Sequence, residues 1–173
     1  NMKSLRYVIL VILISPLYAL AQQDAKGKEC TSFTKDANKL TFHCKDGSKL
    51  SLEINSNSVI KIWFDPAGKF TRNNESFAVV NEKLEDIGDI NVNDEPAAYE
   101  IFTSKLRIRL NKNPMQLQIF DKWQKLIFSD FKENGHISEG TVKKANKILR
   151  KDEQFFGLGE KTGPINRRGR AYK

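Results

Sequence analysis

The sequence predicts an all-β protein, a sandwich of short antiparallel strands. Apolar and polar residues alternate along much of the chain, for example at Leu40, Phe42 and Cys44. Turn-forming pairs such as Asp46-Gly47 interrupt the alternation about every 8–12 residues. A period of two lets one face of each strand pack on a core. A hydrophobic content of 39% is typical of a packed domain and not of a disordered chain.

The first 21 residues have the layout of a secretory signal peptide. Two basic residues precede an apolar run over residues 7–14, and small residues lead to an expected cleavage point between Ala21 and Gln22. The run is shorter than the roughly 20 residues that a membrane-spanning helix needs. We therefore expect a signal peptide over residues 1–21, a mature domain over residues 22–173 in a secreted or periplasmic location, and no membrane association after cleavage.

Cys30 and Cys44 are the two cysteines of the sequence. In an exported protein, two cysteines most simply form one disulfide. A polar turn over residues 35–38 separates them, and a turn centred on Ala37 would place them face to face across a hairpin. The alternative is two unpaired core thiols, because cross-linking a short loop stabilises little.

The strands can be assigned in chain order from the alternation and the turns. The predicted strands are residues 31–34, 40–44, 50–54, 59–64, 77–80, 99–102, 106–110, 115–119 and 126–128. The acidic stretch 84–96 has a weak pattern and is expected to be an exposed connection. Residues 141–151 fit a short helix, since apolar residues recur there at spacings of three and four, but they also fit a short strand.

The usual catalytic and metal-binding signatures are not found in the sequence. His43 and His136 lack the spacing of a metal site, so both are expected to be structural. Asp36, Asp46 and Asp65 follow or precede turn residues, where aspartate stabilises the backbone. We therefore assign no catalytic residue, no metal and no cofactor.

The net charge of +8 raises the question of a nucleic-acid partner. Residues 161–173 carry five basic residues and no acidic one. An export signal and the lack of an aromatic platform interleaved with these charges argue against nucleic-acid binding. A solvated or partner-facing tail is the simpler interpretation.

The most distinctive segment is FFGLGEKTGPINRRGRAY, residues 155–172. It does not match a dinucleotide-binding loop, because Thr162 stands where the third glycine is required. Phe155 and Phe156 are expected to end a strand. Gly157 and Gly159 would allow a tight turn or a close backbone approach.

This segment resembles the F-Y-G-L-G-E-K-T-G…R-R-G…Y motif of glycoside hydrolase family 31, which contains α-glucosidases and α-xylosidases. The earlier stretches LTFHCKDGSKLSLEI, VIKIWFDPAGKF and YEIFTSKLRIRLNKNPMQLQIFD fit successive strands of the same family. The resemblance covers residues 39–172 and implies a galactose-mutarotase-like β-sandwich that is incomplete at its C-terminus. One departure is Trp123-Gln124-Lys125, where many relatives have an Asp-Gly turn.

The resemblance implies that this is the amino-terminal, non-catalytic domain of a retaining α-glycosidase. In that family two aspartates of a (β/α)8 barrel perform catalysis, so this chain alone is expected to be inactive. The implied partners are the barrel of the same polypeptide and, through the parent enzyme, an α-linked oligosaccharide. The candidates for the interface with the barrel are Gly157, Gly159, Glu160, Lys161, Arg167 and Arg168. For the four charged residues, the alternative is that they are ordinary solvated charges.

A different class of function stays open beside this one. The chain could be a free-standing secreted module that binds carbohydrate or a protein partner. Trp63, Trp123 and Tyr99 could stack on sugar rings if they are exposed, although aromatic residues in strands more often belong to the core.

Overall fold

The computed structural model describes residues 28–70, 87–157, 159 and 162–171. Their regular structure consists of strands alone, which confirms the predicted all-β class. The strands are β1 (Cys30–Asp36), β2 (Lys39–Cys44), β3 (Lys49–Ile54), β4 (Ile60–Asp65), β5 (Val92–Asp94), β6 (Ala98–Phe102), β7 (Leu106–Lys112), β8 (Met115–Asp121), β9 (Leu126–Ser129), β10 (His136–Glu139) and β11 (Val142–Ala145). In the part of the chain described, no helix is long and apolar enough to cross a membrane.

The strands form two antiparallel sheets and a separate hairpin. One sheet has the order β1-β2-β3-β4, the other has the order β5-β6-β7-β8-β9, and β10 pairs with β11. Within each sheet every strand pairs with its neighbour in sequence, as short turns between antiparallel strands allow. The fold is therefore two meanders packed face to face.

The core lies between the two sheets. Leu40 and Phe42 of β2, and Ile108 and Leu110 of β7, are fully buried at alternate positions. The ring centroids of Phe42 and Tyr99 lie 5.2 Å apart and join the two layers. Burying one such side chain stabilises the fold by about 1.5–3 kcal/mol.

The structure departs from the sequence predictions at two places. β5 lies inside the stretch that was predicted to be an exposed connection, and Ile90 just before it is buried. His136 lies in β10, which is not among the predicted strands. Residues 142–145 form a strand, which is one of the two alternatives left open for residues 141–151. Strands of three or four residues are too short to show a periodicity that distinguishes them from loops. The predicted strand at 77–80 falls outside the described residues.

The turn between β8 and β9 is built around one carboxylate. Asp121 Oδ1 accepts hydrogen bonds from the backbone N–H groups of Trp123 and Lys125, each at 2.9 Å. Gln124 between them has a φ of 65°. An aspartate at the end of β8 thus closes the hairpin although the Asp-Gly pair of many family members is missing.

Candidate functional site

The segment with the predicted interface residues is irregular in structure. Gly157 and Gly159 have φ angles of 108° and 66°, which glycine adopts at little cost. A Cβ at either position would meet no described atom within 4 Å, so among the described residues it is the positive φ that favours glycine here. Glu160 and Lys161 lie outside the described residues.

Phe155 and Phe156 do not end a strand, which corrects the expectation from the sequence. The N–H of Phe155 donates to Asn166 Oδ1 at 3.1 Å, and its carbonyl accepts from the N–H of Arg167 at 2.7 Å. The segment therefore closes on itself and leaves no backbone groups of Phe155 for a sheet. The side chain of Phe156 is 63% exposed.

Arg168 holds this segment to the preceding turn. Its Nη1 donates to the carbonyl oxygens of Arg150 at 2.6 Å and Glu153 at 2.5 Å. The backbone N–H of Arg168 donates to Asn166 Oδ1 at 3.1 Å. Nη1 of Arg167 donates to the carbonyl of Thr162 at 3.2 Å. Both arginines thus organise the segment itself, and an additional role at a domain interface stays a prediction.

Exposed apolar side chains concentrate in residues 131–165, here called the apolar segment. Of the eleven large apolar side chains that are exposed in the described ranges, seven lie in this segment. They are Phe131, Val142, Ile148, Leu149, Phe155, Phe156 and Ile165. Surfaces with many exposed apolar side chains are typical of contacts with another protein surface. The sequence analysis names the glycines and charges of this region, and Phe155 and Phe156 only as the end of a strand, but not the other five residues.

A buried ionic group lies where the second sheet meets the β10–β11 hairpin. Asp130 is fully buried. Its Oδ2 accepts from the N–H of Leu117 at 3.2 Å, and the ammonium of Lys147 donates to its Oδ1. His136 Nε2 lies 3.3 Å from Oδ2, and the ring of His136 stacks on Phe64 of β4 with centroids 4.5 Å apart.

The environment of Asp130 keeps this carboxyl ionised. Burial alone would raise the pKa of Asp130, but the neighbouring His136 and Lys147 outweigh burial and hold the pKa below its usual value. A carboxylate that is enclosed and already paired has no access to a sugar ring. Asp130 therefore has a structural role, which local sequence could not reveal because Lys147 is distant in the chain.

Two of the three predicted turn aspartates, Asp46 and Asp65, stabilise the backbone of their turns. Asp46 Oδ1 accepts from the N–H of Ser48 at 3.0 Å. The carboxylate of Asp65 accepts from the N–H groups of Ala67 and Lys69, each at 2.9 Å, and of Phe70 at 2.6 Å. These contacts, above all the one from Phe70, lower the pKa of Asp65. Asp36 ends β1 beside the first turn.

Metal binding finds no support in the described ranges. They contain no group of three or more His, Cys, Asp or Glu side chains that could hold a metal ion. His43 lies in β2 and its Nε2 is 3.3 Å from the hydroxyl of Thr34. Its contacts are those of a strand side chain.

Cys30 and Cys44 lie opposite each other in the pairing of β1 and β2. The turn centres between Ala37 and Asn38, and an irregularity between Cys30 and Ser32 restores the alignment that the sequence argument assumed. Both cysteines are buried thiols. Burial, with a further contribution from Cys44, raises the pKa of Cys30 to about 12. The disulfide stays a prediction.

The three aromatic candidates for sugar stacking have different environments. Tyr99 is buried in the core, whereas Trp123 is 76% exposed. Trp63 is half-buried, and its ring centroid lies 4.8 Å from that of Phe70. Of the three, Trp123 alone presents most of its ring to solvent.

The side of the five-stranded sheet that faces away from the core, here called the polar face, carries a hydrogen-bonded network. Glu100 Oε1 accepts from Arg109 Nη1 at 2.6 Å and from Arg107 Nη2 at 3.0 Å. Arg107 Nη1 donates to Gln124 Oε1 at 2.7 Å, and Arg109 Nε donates to Asn111 Oδ1 at 2.8 Å. Burial alone would raise the pKa of Glu100, but the two guanidinium groups hold it below its usual value.

Comparison with known proteins relates the chain to one family. A family model described as the glycosyl hydrolase 31 N-terminal galactose mutarotase-like domain matches residues 49–173. Alpha-glucosidase 2 of Bacillus thermoamyloliquefaciens is 26% identical over 138 residues, which are 80% of this chain and 17% of that enzyme.

Solved structures show the same relationship. A GH31 dextranase of Flavobacterium johnsoniae in complex with isomaltotriose is 53% identical with a TM-score of 0.78, covering 85% of this chain and 18% of that one. A GH31 α-xylosidase from a soil metagenome, complexed with xylose, is 15% identical with a TM-score of 0.65, covering 81% of this chain and 24% of that one. The second likeness shows the fold alone. The chain spans less than a quarter of each of these relatives.

Proposed function

The chain belongs to the family of N-terminal galactose mutarotase-like domains of glycosyl hydrolase 31, and on that premise we propose that it is the non-catalytic domain of an exported enzyme that hydrolyses α-linked glucose oligosaccharides. The observation that carries the proposal is the 53% identity to a GH31 dextranase over 85% of this chain. Its family membership is confirmed by the model match over residues 49–173.

The chemistry of retaining glycosidases supports a non-catalytic role. The reaction needs two carboxyl groups about 5 Å apart on either side of the scissile bond, one of them free to attack the anomeric carbon. Asp130 is enclosed and bound by Lys147, and Glu100 is bound by two arginines. A (β/α)8 barrel by itself takes about 250 residues, which exceeds the 173 residues here.

The substrate class comes from the relatives. The dextranase was solved with isomaltotriose, and the other enzyme in the comparison is an alpha-glucosidase. An enzyme that shares half its sequence with the dextranase in this domain is expected to act on the same general class, α-linked glucose oligomers. The linkage would be chosen by the catalytic domain and not by this chain.

The apolar segment is the surface proposed to pack against the catalytic barrel of the same polypeptide. Phe156 and Ile165 are 63% and 80% exposed, and Arg168 holds the backbone around them in one arrangement. Rigid apolar side chains lose little entropy when a partner covers them, so they suit an interface. This proposal extends the predicted interface residues to their apolar neighbours.

Export is the part of the proposal that rests on the signal-peptide pattern of residues 1–21, which lie outside the described ranges. Expression in a bacterium with a standard secretion system, followed by sequencing of the mature N-terminus, tests it. A mature protein that begins at Gln22 in the periplasm or medium is expected. Retention in the cytoplasm with an uncleaved N-terminus would contradict it.

A domain exchange tests the function itself. This chain replaces the matching region of the Flavobacterium johnsoniae dextranase, and hydrolysis of isomaltotriose is compared for the chain alone, the exchanged enzyme and the native dextranase. We expect no turnover by the chain alone and clear turnover by the exchanged enzyme. A second exchange that carries Phe156→Asp and Ile165→Asp should be unstable or inactive.

Two results would contradict the proposal. Turnover by the purified chain alone, after a control for contaminating glycosidases, would place catalysis within it. A soluble but inactive exchanged enzyme would mean that the domain does not serve such a barrel, which would favour a free-standing binding module.

A further inference from the structure

The polar face has a regular order that its strand register imposes. Across the five strands β5 to β9, one row of paired positions carries side chains on this side of the sheet. The row consists of Asn93, Glu100, Arg109, Gln118 and Ser129. Ser129 at one end is buried, so the accessible part of the row runs from β5 to β8. At about 4.8 Å between strands, this part is long enough for more than one sugar ring and longer than one small ion.

The hydrogen bonds of the face hold its side chains in fixed positions. The network continues from Arg109 through Asn111, whose Nδ2 donates to Gln116 Oε1 at 3.1 Å. Gln116 Nε2 in turn donates to the carbonyl of Asp130 at 3.0 Å. Side chains that are already ordered lose little entropy when a ligand binds.

A shallow depression of about 730 Å³ lies over one part of this face. Its walls include Glu95 and Glu100, which balance the charges of Arg107 and Arg109. This balance disfavours a phosphate or another strongly charged ligand, because no net charge would attract it. The depression is within the volume range of small-molecule sites, about 300–1,000 Å³.

Apolar groups line the depression at both ends of β6. The ring of Phe102 at the end of β6 is 52% exposed, and Pro96 and Ala97, which precede the start of β6, are exposed as well. Amide, carboxylate and guanidinium groups next to an open aromatic ring match a ligand with many hydroxyl groups and an apolar CH face. An uncharged sugar chain has both features.

From this arrangement we propose that the polar face is a binding surface for a neutral oligosaccharide, with Phe102 as its stacking platform and Arg107 and Arg109 as hydrogen-bond donors. The surface lies on a different side of the sheet from the core and does not involve the apolar segment. The proposal requires no catalytic activity, so its test stays informative if the proposed parent enzyme is wrong.

Saturation-transfer NMR on the whole purified chain with isomaltotriose as the probe tests the proposal, since the method needs little protein. We expect saturable binding with a Kd on the order of 1 mM, as a shallow, open site would give. Phe102→Ala should weaken binding about fivefold or more, because a stacking platform is lost. Val59→Ala is the control, since Val59 is exposed to a similar extent, 54%, but is not among the residues that line the depression.

Three results would overturn the proposal. The first is no saturable transfer to isomaltotriose at a sugar concentration ten times the expected Kd. The second is that Phe102→Ala and Val59→Ala weaken sugar binding equally. The third is that Phe102→Ala leaves sugar binding unchanged while circular dichroism shows that both variants are folded. A protein partner is the competing occupant of this face. If Phe102 is protected from hydroxyl-radical labelling in the exchanged dextranase without sugar, the polar face contacts the catalytic domain instead.

Discussion

Lys147 donates its ammonium to the carboxylate of Asp130 across the isolated bridge that pairs these two residues. Asp130 has no exposed surface, whereas the side chain of Lys147 keeps 28% of its own. The pair joins the end of the five-stranded sheet to the chain that leaves the β10–β11 hairpin. A charge from outside the core thus neutralises a charge inside it.

Removal of Lys147 should therefore destabilise the protein strongly. We expect Lys147→Met to lower the free energy of unfolding by about 3–5 kcal/mol, because it leaves a buried carboxylate with fewer partners. Lys144→Met is the matched control, since the Lys144 and Glu139 side chains of its pair are 52% and 69% exposed and such pairs contribute about 1 kcal/mol or less. Urea unfolding measures both. Equal losses would show that the Asp130 pair is no stronger than a surface pair.

The same group makes stability depend on pH. The pKa of Asp130 is lower in the folded protein than its ordinary value of 3.8, so its stabilising contribution is present above that value. It is lost as the pH falls through the folded-state pKa. Urea unfolding between neutral pH and pH 3 should show a smaller acid loss in Asp130→Asn than in the wild type. Asp89→Asn, at a carboxylate that is 80% exposed, should leave the acid loss unchanged, and the opposite ranking would contradict this assignment.

The two cysteines should be unreactive in the folded, reduced protein. Both are buried, and a pKa of about 12 leaves Cys30 almost no thiolate at neutral pH. We expect slow alkylation by iodoacetamide until denaturant is added. In exported protein we expect the disulfide between Cys30 and Cys44. It would show as no alkylation after denaturation without reductant. It should also raise the free energy of unfolding by up to about 3 kcal/mol. If both cysteines of the exported protein are alkylated after denaturation without reductant, they are unpaired thiols and the disulfide prediction is wrong.

Gly68 should be far less tolerant of a side chain than Gly47. A Cβ at Gly68 would lie 2.2 Å from the carbonyl oxygen of Gly47, whereas a Cβ at Gly47 would meet no described atom within 4 Å. Both have a positive φ, of 66° and 84°, so the conformational strain of alanine is similar at both. Gly68→Ala should therefore lower the thermal midpoint more than Gly47→Ala. Equal shifts would mean that the two turns move apart at no cost.

Charge in the apolar segment should improve the solubility of the isolated chain. Phe156→Asp with Ile165→Asp replaces two exposed apolar side chains and should reduce aggregation in light scattering without lowering the thermal midpoint. Lys151→Gln with Lys132→Gln provides a control of equal charge change at exposed, polar positions. A wild-type chain that is already monodisperse would contradict the interface assigned to this segment.

Much of the fold could be predicted because a strand shows its pattern locally. Leu50, Leu52 and Ile54 alternate with polar residues, and each of them is fully buried in β3. β5 and β10 were missed because three or four residues hold too few periods to be recognised. The C-terminal motif identified the family, but not the outward direction of Phe156.

The sequence by itself determined the all-β class, the order of most strands and the family, since these depend on neighbouring residues and on a contiguous motif. Tertiary structure decided the pairing of Asp130 with Lys147, the row of side chains on the polar face and the alignment of Cys30 with Cys44. Each of these depends on strand register, and a shift of one residue would turn every side chain of a strand to its other face. Periodicity reveals that a strand has two faces, whereas packing decides what each face meets.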